Sequence, residues 1–396
     1  MDKNRPSEQW LSSLRERFPC EPEVDRFLSR KLNNRAGPGY TPVPLEALCA
    51  GIEKLLDSKL NTAFEIDAAR WLTGGASKLQ MAFDLKWHPH DAESVTTPMV
   101  LRMQPAESIV ESSRLREFQL INAFQDHVPV PSVYWVDDEG EYLPYPALIY
   151  GLVDGVTKPK TGVGGEVSGM GTNYGARLRS LLAPQFVDYL ARIHTHNWRE
   201  ANLSAFEVPT LGTLAAERQL NWWARVAAED ALADIPLLTL AAQWLRAELP
   251  TLDRISIVHG DYRCGNFLFN EQSGEITAWL DWELGHLGDR HEDLAWCTAR
   301  TWGHRDENGG AELICGLMRE EDFLHAYEQA SGLSVNQQTL RYYKVLNTWK
   351  LSVMSLFTSY RAPAGGKTHQ DVLVAWCLGV GAKFTEQLGE ILEEVI

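Results

Sequence analysis

Paired cysteines are absent from this sequence. Its six cysteines, spread over 396 residues, include no CxxC pair, and their spacing fits neither a zinc site nor a disulfide framework. This absence excludes a small secreted scaffold held together by disulfides, and a reducing compartment is the simplest setting. The six are Cys20, Cys49, Cys264, Cys297, Cys315 and Cys377.

Long apolar runs and clusters of basic residues are also missing. The longest apolar run, from Val372 to Ala382, is far shorter than the ~20 residues of a membrane-spanning helix. The first residues lack the apolar core of a signal peptide. The net charge is −16 and no basic run occurs, so a nucleic-acid backbone would meet no complementary surface. We therefore expect a cytoplasmic protein with neither a membrane nor a nucleic-acid partner.

The chain divides into three parts by its patterns. Residues 1–45 contain helical spacing and end in a Gly- and Pro-rich linker, which predicts an N-terminal helical extension. Residues 46–153 combine about five strand-like runs with one main helix, which predicts a small antiparallel lobe. Residues 154–396 are mostly helical in pattern and predict a larger second lobe. Within them, the Gly-, Thr- and Ser-rich residues 157–175 predict an irregular surface loop.

Proline and glycine suggest where two helices of the larger lobe begin or break. Pro184 is suited to the first turn of a helix, so the pattern predicts a helix from Pro184 to Thr195. His194 lies near its end and is expected to be solvated or at the edge of the core. The last helix, residues 371–396, is expected to break at Gly379 and Gly381.

The most informative stretch is residues 257–269, which read IVHGDYRCGNFLF. Two apolar runs flank a polar turn, a pattern that predicts strand, loop and strand. Asp261 lies in the loop, Asn266 follows five residues later, and Asp281 comes at the end of the next strand-like run. These side chains can converge, and their oxygens suit Mg²⁺. The stretch therefore indicates a divalent cation carrying a nucleotide, as in a small-molecule kinase.

Phosphoryl transfer requires an aligned hydroxyl, an orienting carboxylate and cations on the phosphates. Asp261 can accept the hydroxyl proton, while Asn266 and Asp281 supply oxygens for Mg²⁺. Arg263 can neutralise the transferring γ-phosphoryl group. His259 is expected to fix the loop by hydrogen bonds.

Two upstream features suit phosphate binding, and each also has a plainer interpretation. Gly74, Gly75 and Ser77 form a turn between strand-like runs, which lets backbone N–H groups approach phosphate oxygens, but a simple hairpin has the same pattern. Arg102 lies inside an apolar run, where a charge is costly unless it is paired or binds an anion. Glu117 on the following helix is its candidate partner. The alternative is a surface arginine on an edge strand.

The order His259-Gly-Asp-x-x-x-x-Asn266, Asp281-Trp-Glu and Gly288-Asp-x-x-x-Asp293 resembles the aminoglycoside phosphotransferase and choline kinase superfamily, relatives of protein kinases. The sequences of residues 72–77 (LTGGAS) and 259–266 (HGDYRCGN) are similar to those of one branch of this superfamily. In some proteins, the domain of that branch is fused to an acyl-CoA dehydrogenase. That branch is linked to phosphorylation of hydroxy-acyl substrates. The resemblance runs from about residue 65 to the last helix. It implies an α+β, protein-kinase-like two-lobed fold, with a small antiparallel-sheet N-lobe and a larger, mostly helical C-lobe.

The resemblance also implies a role for each matching residue. Asp261 would be the catalytic base, with Asp289 and Asp293 bracing its loop, and Arg102 takes the place of the usual phosphate-binding lysine, with Glu117 as its partner. Glu283 would either bind a second Mg²⁺ or anchor its loop. The remaining assignments are Asn266 and Asp281 as Mg²⁺ ligands, Gly74, Gly75 and Ser77 over the phosphates, and backbone groups of Gly151 and Val153 at the adenine. Residues 46–153 would thus be the nucleotide-binding N-lobe, and residues 154–396 the C-lobe with the catalytic loop and the acceptor site.

Three functions are compatible with this pattern. The first is an ATP- and Mg²⁺-dependent kinase that phosphorylates a hydroxyl of a small molecule, a hydroxy-acid or hydroxyacyl-CoA, with a separate acyl-CoA dehydrogenase acting downstream. The second is an aminoglycoside or macrolide antibiotic phosphotransferase, against which the branch-specific sequence motifs argue. The third is a catalytically silent nucleotide-binding protein, against which the intact Asp261, Asn266 and Asp281 argue.

Overall fold

A five-stranded antiparallel sheet forms the centre of the N-lobe. The computed structural model describes residues 2–72, 77–89, 93–160, 170–306 and 309–396. The strands pair in the order β1-β2-β3-β5-β4, as expected for a small antiparallel lobe. Their bounds are Glu65–Trp71 (β1), Leu79–Trp87 (β2), Val95–Met103 (β3), Val133–Asp137 (β4) and Ala147–Gly151 (β5).

Alternating apolar residues give this sheet a core of its own. Met81, Phe83 and Leu85 on β2 have the two-residue period of one strand face and are fully buried. They pack in one cluster with Leu48 and Ile52 of helix α3 (Leu45–Asp57). A second helix, α4 (Arg114–Phe124), sends Leu120 and Phe124 into the core of the C-lobe. Helix α4 therefore connects the sheet to the larger lobe.

Helices make up most of the described part of the C-lobe, and three short antiparallel strand pairs lie among them. None of the helices in the described ranges is both long and apolar enough to cross a bilayer. Strand β6 (Ser256–Val258) pairs with β9 (His286–Gly288), and β7 (Phe267–Phe269) with β8 (Ile276–Trp279). The helices are α5 (Gly175–Thr195), α6 (Leu214–Asp230), α7 (Pro236–Ala247), α8 (His291–Cys297), α9 (Glu320–Ser331), α10 (Gln337–Val353), α11 (Ser359–Ala364) and α12 (Asp371–Glu393), and the remaining short hairpin is β10 (His304–Arg305) with β11 (Glu312–Leu313).

The predicted start of one helix and the predicted break in another are both wrong. Helix α5 begins at Gly175, and Pro184 lies inside it, because a continuous buried face with Leu178, Leu182 and Phe186 outweighs one lost backbone hydrogen bond. The predicted loop over residues 157–175 therefore ends where α5 begins, and residues 161–169 of it lie outside the described residues.

Helix α12 is continuous through Gly379 and Gly381. A Cβ atom on Gly381 would lie 2.4 Å from Leu356 Cδ2, so glycine is needed there for close packing between helices. The two glycines therefore do not break the helix.

The N-terminal extension packs against both lobes. It consists of α1 (Glu8–Arg17) and α2 (Pro22–Asn34). Just beyond α2, the buried Arg35 pairs with Glu107, which follows β3, and with Asp230 at the end of α6. On α2 itself, Arg26 lies 2.7 Å from Asp138 in the turn after β4. The extension therefore bridges the N-lobe and the C-lobe.

Candidate active site

The strand pairs β6-β9 and β7-β8 bring the predicted catalytic residues together. The loop of residues 259–266 leaves β6 and enters β7, and Leu280 N–H donates to Asn266 O at 2.8 Å. This bond places the Asp281 turn beside the end of the loop. Gly260 has φ +82°, and a Cβ atom there would lie 2.5 Å from Leu284 O, so only glycine lets the loop pass so close.

Asp293 holds the catalytic loop by its backbone. Its carboxylate accepts hydrogen bonds from His259 N–H (2.7 Å) and Gly260 N–H (2.8 Å), as the bracing prediction required. His194 Nε2 lies 3.1 Å from the same carboxylate, and His194 Nδ1 lies 2.8 Å from Tyr327 Oη. His194 is fully buried, so the expectation of a solvated or core-edge histidine is wrong. Burial lowers its pKa although Asp293 raises it.

His259 and Asp289 have separate structural roles. His259 Nδ1 accepts from Asp261 N–H at 3.2 Å and its Nε2 lies 3.1 Å from Leu280 O, so His259 fixes the loop as predicted. Asp289 does not brace the catalytic loop. Its Oδ1 accepts from the backbone N–H of His291 at 3.0 Å and contacts the imidazole Nδ1 at 2.6 Å, which stabilises the start of α8.

Three donors surround the carboxylate of Asp261. Its Oδ1 accepts from Arg263 Nε (2.7 Å) and Trp296 Nε1 (2.6 Å), and its Oδ2 accepts from Asn266 Nδ2 (2.6 Å). A carboxylate has about four lone-pair positions, so one remains, on Oδ2. Burial raises the pKa of Asp261, Arg263 opposes this effect, and Asp281 adds to it. The arrangement favours a carboxylate with one oxygen available as a base.

Asn266 and Asp281 offer oxygens that suit a divalent cation. The Asn266 amide N–H₂ donates to Asp261 O (2.9 Å) and Oδ2, which leaves the amide oxygen for a ligand. Asp281 has φ 64° and a partly exposed side chain. Among the described residues, no three His, Cys, Asp or Glu side chains form a metal cluster. Mg²⁺ is often held by one or two carboxylates, with phosphates and water supplying the other ligands, and this pair fits that pattern.

Arg102 lies at the centre of a group of acidic side chains. Its Nε lies 3.2 Å from Glu117 Oε1, and its Nη2 pairs with Asp281 Oδ1 and lies 3.6 Å from Glu283 Oε1. Arg102 is buried in β3, so the alternative of a surface arginine on an edge strand does not apply. The guanidinium links the α4 carboxylate to the Asp281 turn.

Glu283 is enclosed by cations. Its Oε2 lies 2.5 Å from Lys78 Nζ and 3.3 Å from Arg114 Nη2, and it accepts from Ser112 Oγ at 2.7 Å. Burial alone would raise the pKa of Glu283, but the charges of Lys78, Arg102 and Arg114 lower it. These contacts favour the anchoring alternative for Glu283 over a second metal ligand, because its oxygens already have protein partners.

The predicted phosphate turn is described only at its end. Gly74 and Gly75 lie outside the described residues. Ser77 Oγ accepts from Lys78 Nζ at 2.6 Å, and the same ammonium donates to Val110 O at 2.8 Å. The end of the turn is therefore attached to the Glu283 network through Lys78.

The predicted adenine-binding segment follows β5. Gly151 N–H donates to Ser132 O at 2.8 Å, and Leu152 N–H donates to Pro98 O at 2.9 Å. Both N–H groups are used within the sheet. For Val153 N–H we find no partner in the described part of the chain, so of these three N–H groups it is the one left for a ligand.

The sequence reasoning missed Lys78 and Trp296. Lys78 is fully buried beside an apolar strand, and burial lowers its pKa to about 8 although Glu283 raises it. The argument applied to Arg102, a charge next to apolar residues, would have found it. Trp296 gave no such signal, because a tryptophan on an apolar helix is ordinarily a core residue.

Comparisons with known proteins agree with this fold. Acyl-CoA dehydrogenase family member 10 from Mus musculus is 28% identical over 206 residues, which are 50% of this chain and 18% of that protein. The match thus spans less than a fifth of the relative. This part of the relative is what the present chain is similar to.

Solved structures share the two-lobed architecture. A Ralstonia eutropha protein assigned to the aminoglycoside phosphotransferases aligns with a TM-score of 0.62 and 20% identity, covering 87% of this chain and 98% of that one. The GDP and kanamycin complex of APH(2")-IIia aligns with a TM-score of 0.51 and 16% identity, covering 87% and 99%. These likenesses show a protein-kinase-like α+β fold. The model of the phosphotransferase enzyme family matches residues 86–343, more than half of the chain, and the protein therefore belongs to that family.

Proposed function

We propose that this protein is an ATP- and Mg²⁺-dependent kinase that transfers the γ-phosphoryl group to a hydroxyl of a small molecule. The observation that carries the proposal is the Asp261 carboxylate, which has one lone pair left on Oδ2 and stands beside Asn266 and the Asp281 turn. A base next to a two-oxygen cation site is the minimum that phosphoryl transfer requires.

Each side chain has a defined part in this reaction. Asp261 Oδ2 orients the acceptor hydroxyl and takes its proton, while Arg263 keeps the base ionised and adds positive charge near the transferring group. Asn266 Oδ1 and a carboxylate oxygen of Asp281 would hold the cation. Mg²⁺, when bound, neutralises phosphate charge.

The nucleotide would lie between the sheet and the Asp281 turn. Arg102 and Lys78 supply positive charge on the sheet side, and their carboxylate partners hold both in place. Val153 N–H supports recognition of the adenine edge at the segment after β5. Gly74 and Gly75 belong to this proposal on the strength of the sequence.

For the acceptor, we propose a hydroxy-acid or its coenzyme A thioester. The support is the similarity to part of acyl-CoA dehydrogenase family member 10, and an acyl-CoA dehydrogenase would then act on a later intermediate. An aminoglycoside acceptor is the second candidate, because structural neighbours include aminoglycoside phosphotransferases. A screen of ATP consumption over hydroxy-acids, hydroxyacyl-CoAs, aminoglycosides and macrolides separates the two.

The catalytic assignment is tested with Asp261→Asn. Loss of a general base lowers kcat by about 10²–10⁴-fold, while stabilisation by Mg²⁺-ATP in thermal unfolding is retained. Asp281→Asn should instead weaken the Mg²⁺-ATP stabilisation. Asp188→Asn, which alters a half-exposed acid of α5, is the matched control and should change neither. Full turnover of Asp261→Asn on a confirmed acceptor contradicts the assignment of Asp261 as the base. Wild-type protein that Mg²⁺-ATP does not stabilise contradicts the proposed use of a nucleotide.

A further inference from the structure

One side chain at the carboxylate of Asp261 comes from outside the catalytic loop. Trp296 on α8 is almost fully buried, and its indole N–H donates to Asp261 Oδ1 at 2.6 Å. Arg263 Nε shares that oxygen at 2.7 Å. Indole has a donor and no acceptor, so this contact has one direction whatever the pH.

We propose that Trp296 is a positioning residue for the Asp261 carboxylate, so that Oδ2 and not Oδ1 receives the acceptor hydroxyl. This inference rests on the proposed kinase function. With both donors in place, Oδ1 has no lone pair left and the carboxylate cannot turn about its terminal torsion without losing two hydrogen bonds. Without the indole, Oδ1 regains a free lone pair, and two oxygens compete for the hydroxyl.

Trp296 belongs to a closed ring of side-chain contacts. Its ring centroid lies 5.7 Å from that of Trp302, and the Arg263 guanidinium lies over the Trp302 ring at 4.4 Å. Arg263 and Trp296 then meet again at Asp261 Oδ1. Four side chains thus hold one another in a ring, and this fixes the direction of the indole N–H as well as the plane of the carboxylate.

A buried lysine acts on the same indole from another side. Lys350 Nζ lies 5.2 Å from the Trp296 ring centroid and pairs with Glu292 Oε1 at 2.6 Å. A cation within about 6 Å of an aromatic face attracts its π electrons. The ammonium therefore holds the ring and makes its N–H a stronger donor to Asp261.

The chain provides a matched control in Trp223. Trp223 is equally buried, and Lys350 Nζ lies 5.6 Å from its ring centroid. Its indole N–H has no hydrogen-bond partner among the residues that the structure describes. Replacing Trp223 or Trp296 by Phe exchanges an indole beside the same lysine for a smaller phenyl ring, but only Trp296→Phe removes a donor from Asp261.

The first experiment observes the contact without turnover. The indole N–H resonances of the ¹⁵N-labelled protein are recorded for the wild type, Trp296→Phe, Trp223→Phe and Asp261→Asn. The resonance missing in Trp296→Phe should move in Asp261→Asn, and the one missing in Trp223→Phe should not. A Trp296 resonance that ignores Asp261→Asn overturns the inference.

The second experiment separates positioning from stability. Trp296→Phe should lower kcat by about 10- to 100-fold, the worth of a hydrogen bond to a charged group, and leave KM for ATP unchanged. Trp223→Phe should keep the wild-type kcat. Equal losses in both variants overturn the inference. If Trp296→Phe does not fold, benzothienylalanine at position 296 keeps the shape, replaces N–H by sulfur and should give the same loss. Wild-type protein that Mg²⁺-ATP does not stabilise refutes the kinase function itself, which is a different outcome.

Discussion

Replacing Glu283 by glutamine tests whether this side chain anchors its loop. The change keeps the size of a side chain that is 6% exposed and removes its charge. Among the described residues, Arg102 and Arg114 then keep Glu117 and Asp281 as acidic partners, and Lys78 loses its ion-pair partner. Removing one partner of a buried ion pair typically costs about 3–5 kcal/mol, so Glu283→Gln should lower the free energy of unfolding by that amount.

The structure predicts a smaller loss of stability when Lys78, an ion-pair partner of Glu283, is replaced. Lys78→Met removes one of three cations, and Glu283 keeps Arg114, Arg102 and the hydroxyl of Ser112. We expect a loss of about 1–3 kcal/mol, the cost of one lost hydrogen bond to a charged group. The double variant should be more stable than the sum of the single losses implies, because it leaves no orphaned Lys78.

Urea unfolding at neutral pH and fixed ionic strength measures the free energy of unfolding of the wild type, the two single variants and the double variant, which form a double-mutant cycle. The reasoning is refuted if Lys78→Met costs as much as Glu283→Gln, since the network would then not be centred on Glu283. A Glu283→Gln protein of normal stability that needs far more Mg²⁺ would instead support the second-metal role.

Two further predictions concern α12 and acid stability. Gly379→Ala should stabilise the protein by about 0.5–1 kcal/mol, since its Cβ meets no atom within 4 Å, whereas Gly381→Ala should destabilise it because its Cβ would clash with Leu356; thermal unfolding compares the two. Burial alone would raise the pKa of Glu292, but Lys350 lowers it to about 2 from 4.5. The unfolded chain then binds more protons between those values, so about 3 kcal/mol of stability, present above pH 4.5, is lost as the pH falls to 2. Urea unfolding should show a loss of stability between pH 4.5 and 2 that is about 3 kcal/mol smaller in Glu292→Gln than in the wild type.

Local patterns were enough for much of the site. Asp261, Asn266 and Asp281 lie in turns between short strands. Pairing of those strands brings the turns close together, so the convergence of these side chains could be predicted. Arg102 was identified because a charge in an apolar strand needs a partner. Five strands and the two-lobed fold followed from strand-like runs, one helix and the resemblance to a known superfamily.

Interactions between distant residues could not be predicted in the same way. Trp296 donates to a residue 35 positions earlier, and His194 meets a carboxylate 99 positions later. Neither pattern is visible within one element. Pro184 and Gly381 misled for a related reason: their local preferences favour helix ends, but burial of α5 and close packing of α12 depend on the rest of the fold.

The bridge made by the N-terminal extension limits how the lobes can move. Two bodies joined at one connecting segment keep a rotation about it, and such a rotation opens the cleft in a kinase-like fold. Arg35 holds Glu107 on one body and Asp230 on the other, and Arg26 adds a third tie at Asp138. These ion pairs oppose rotation of one lobe relative to the other. For the proposed kinase, we therefore expect nucleotide exchange to proceed through movements of turns and side chains at the rim of the cleft and not by separation of the lobes.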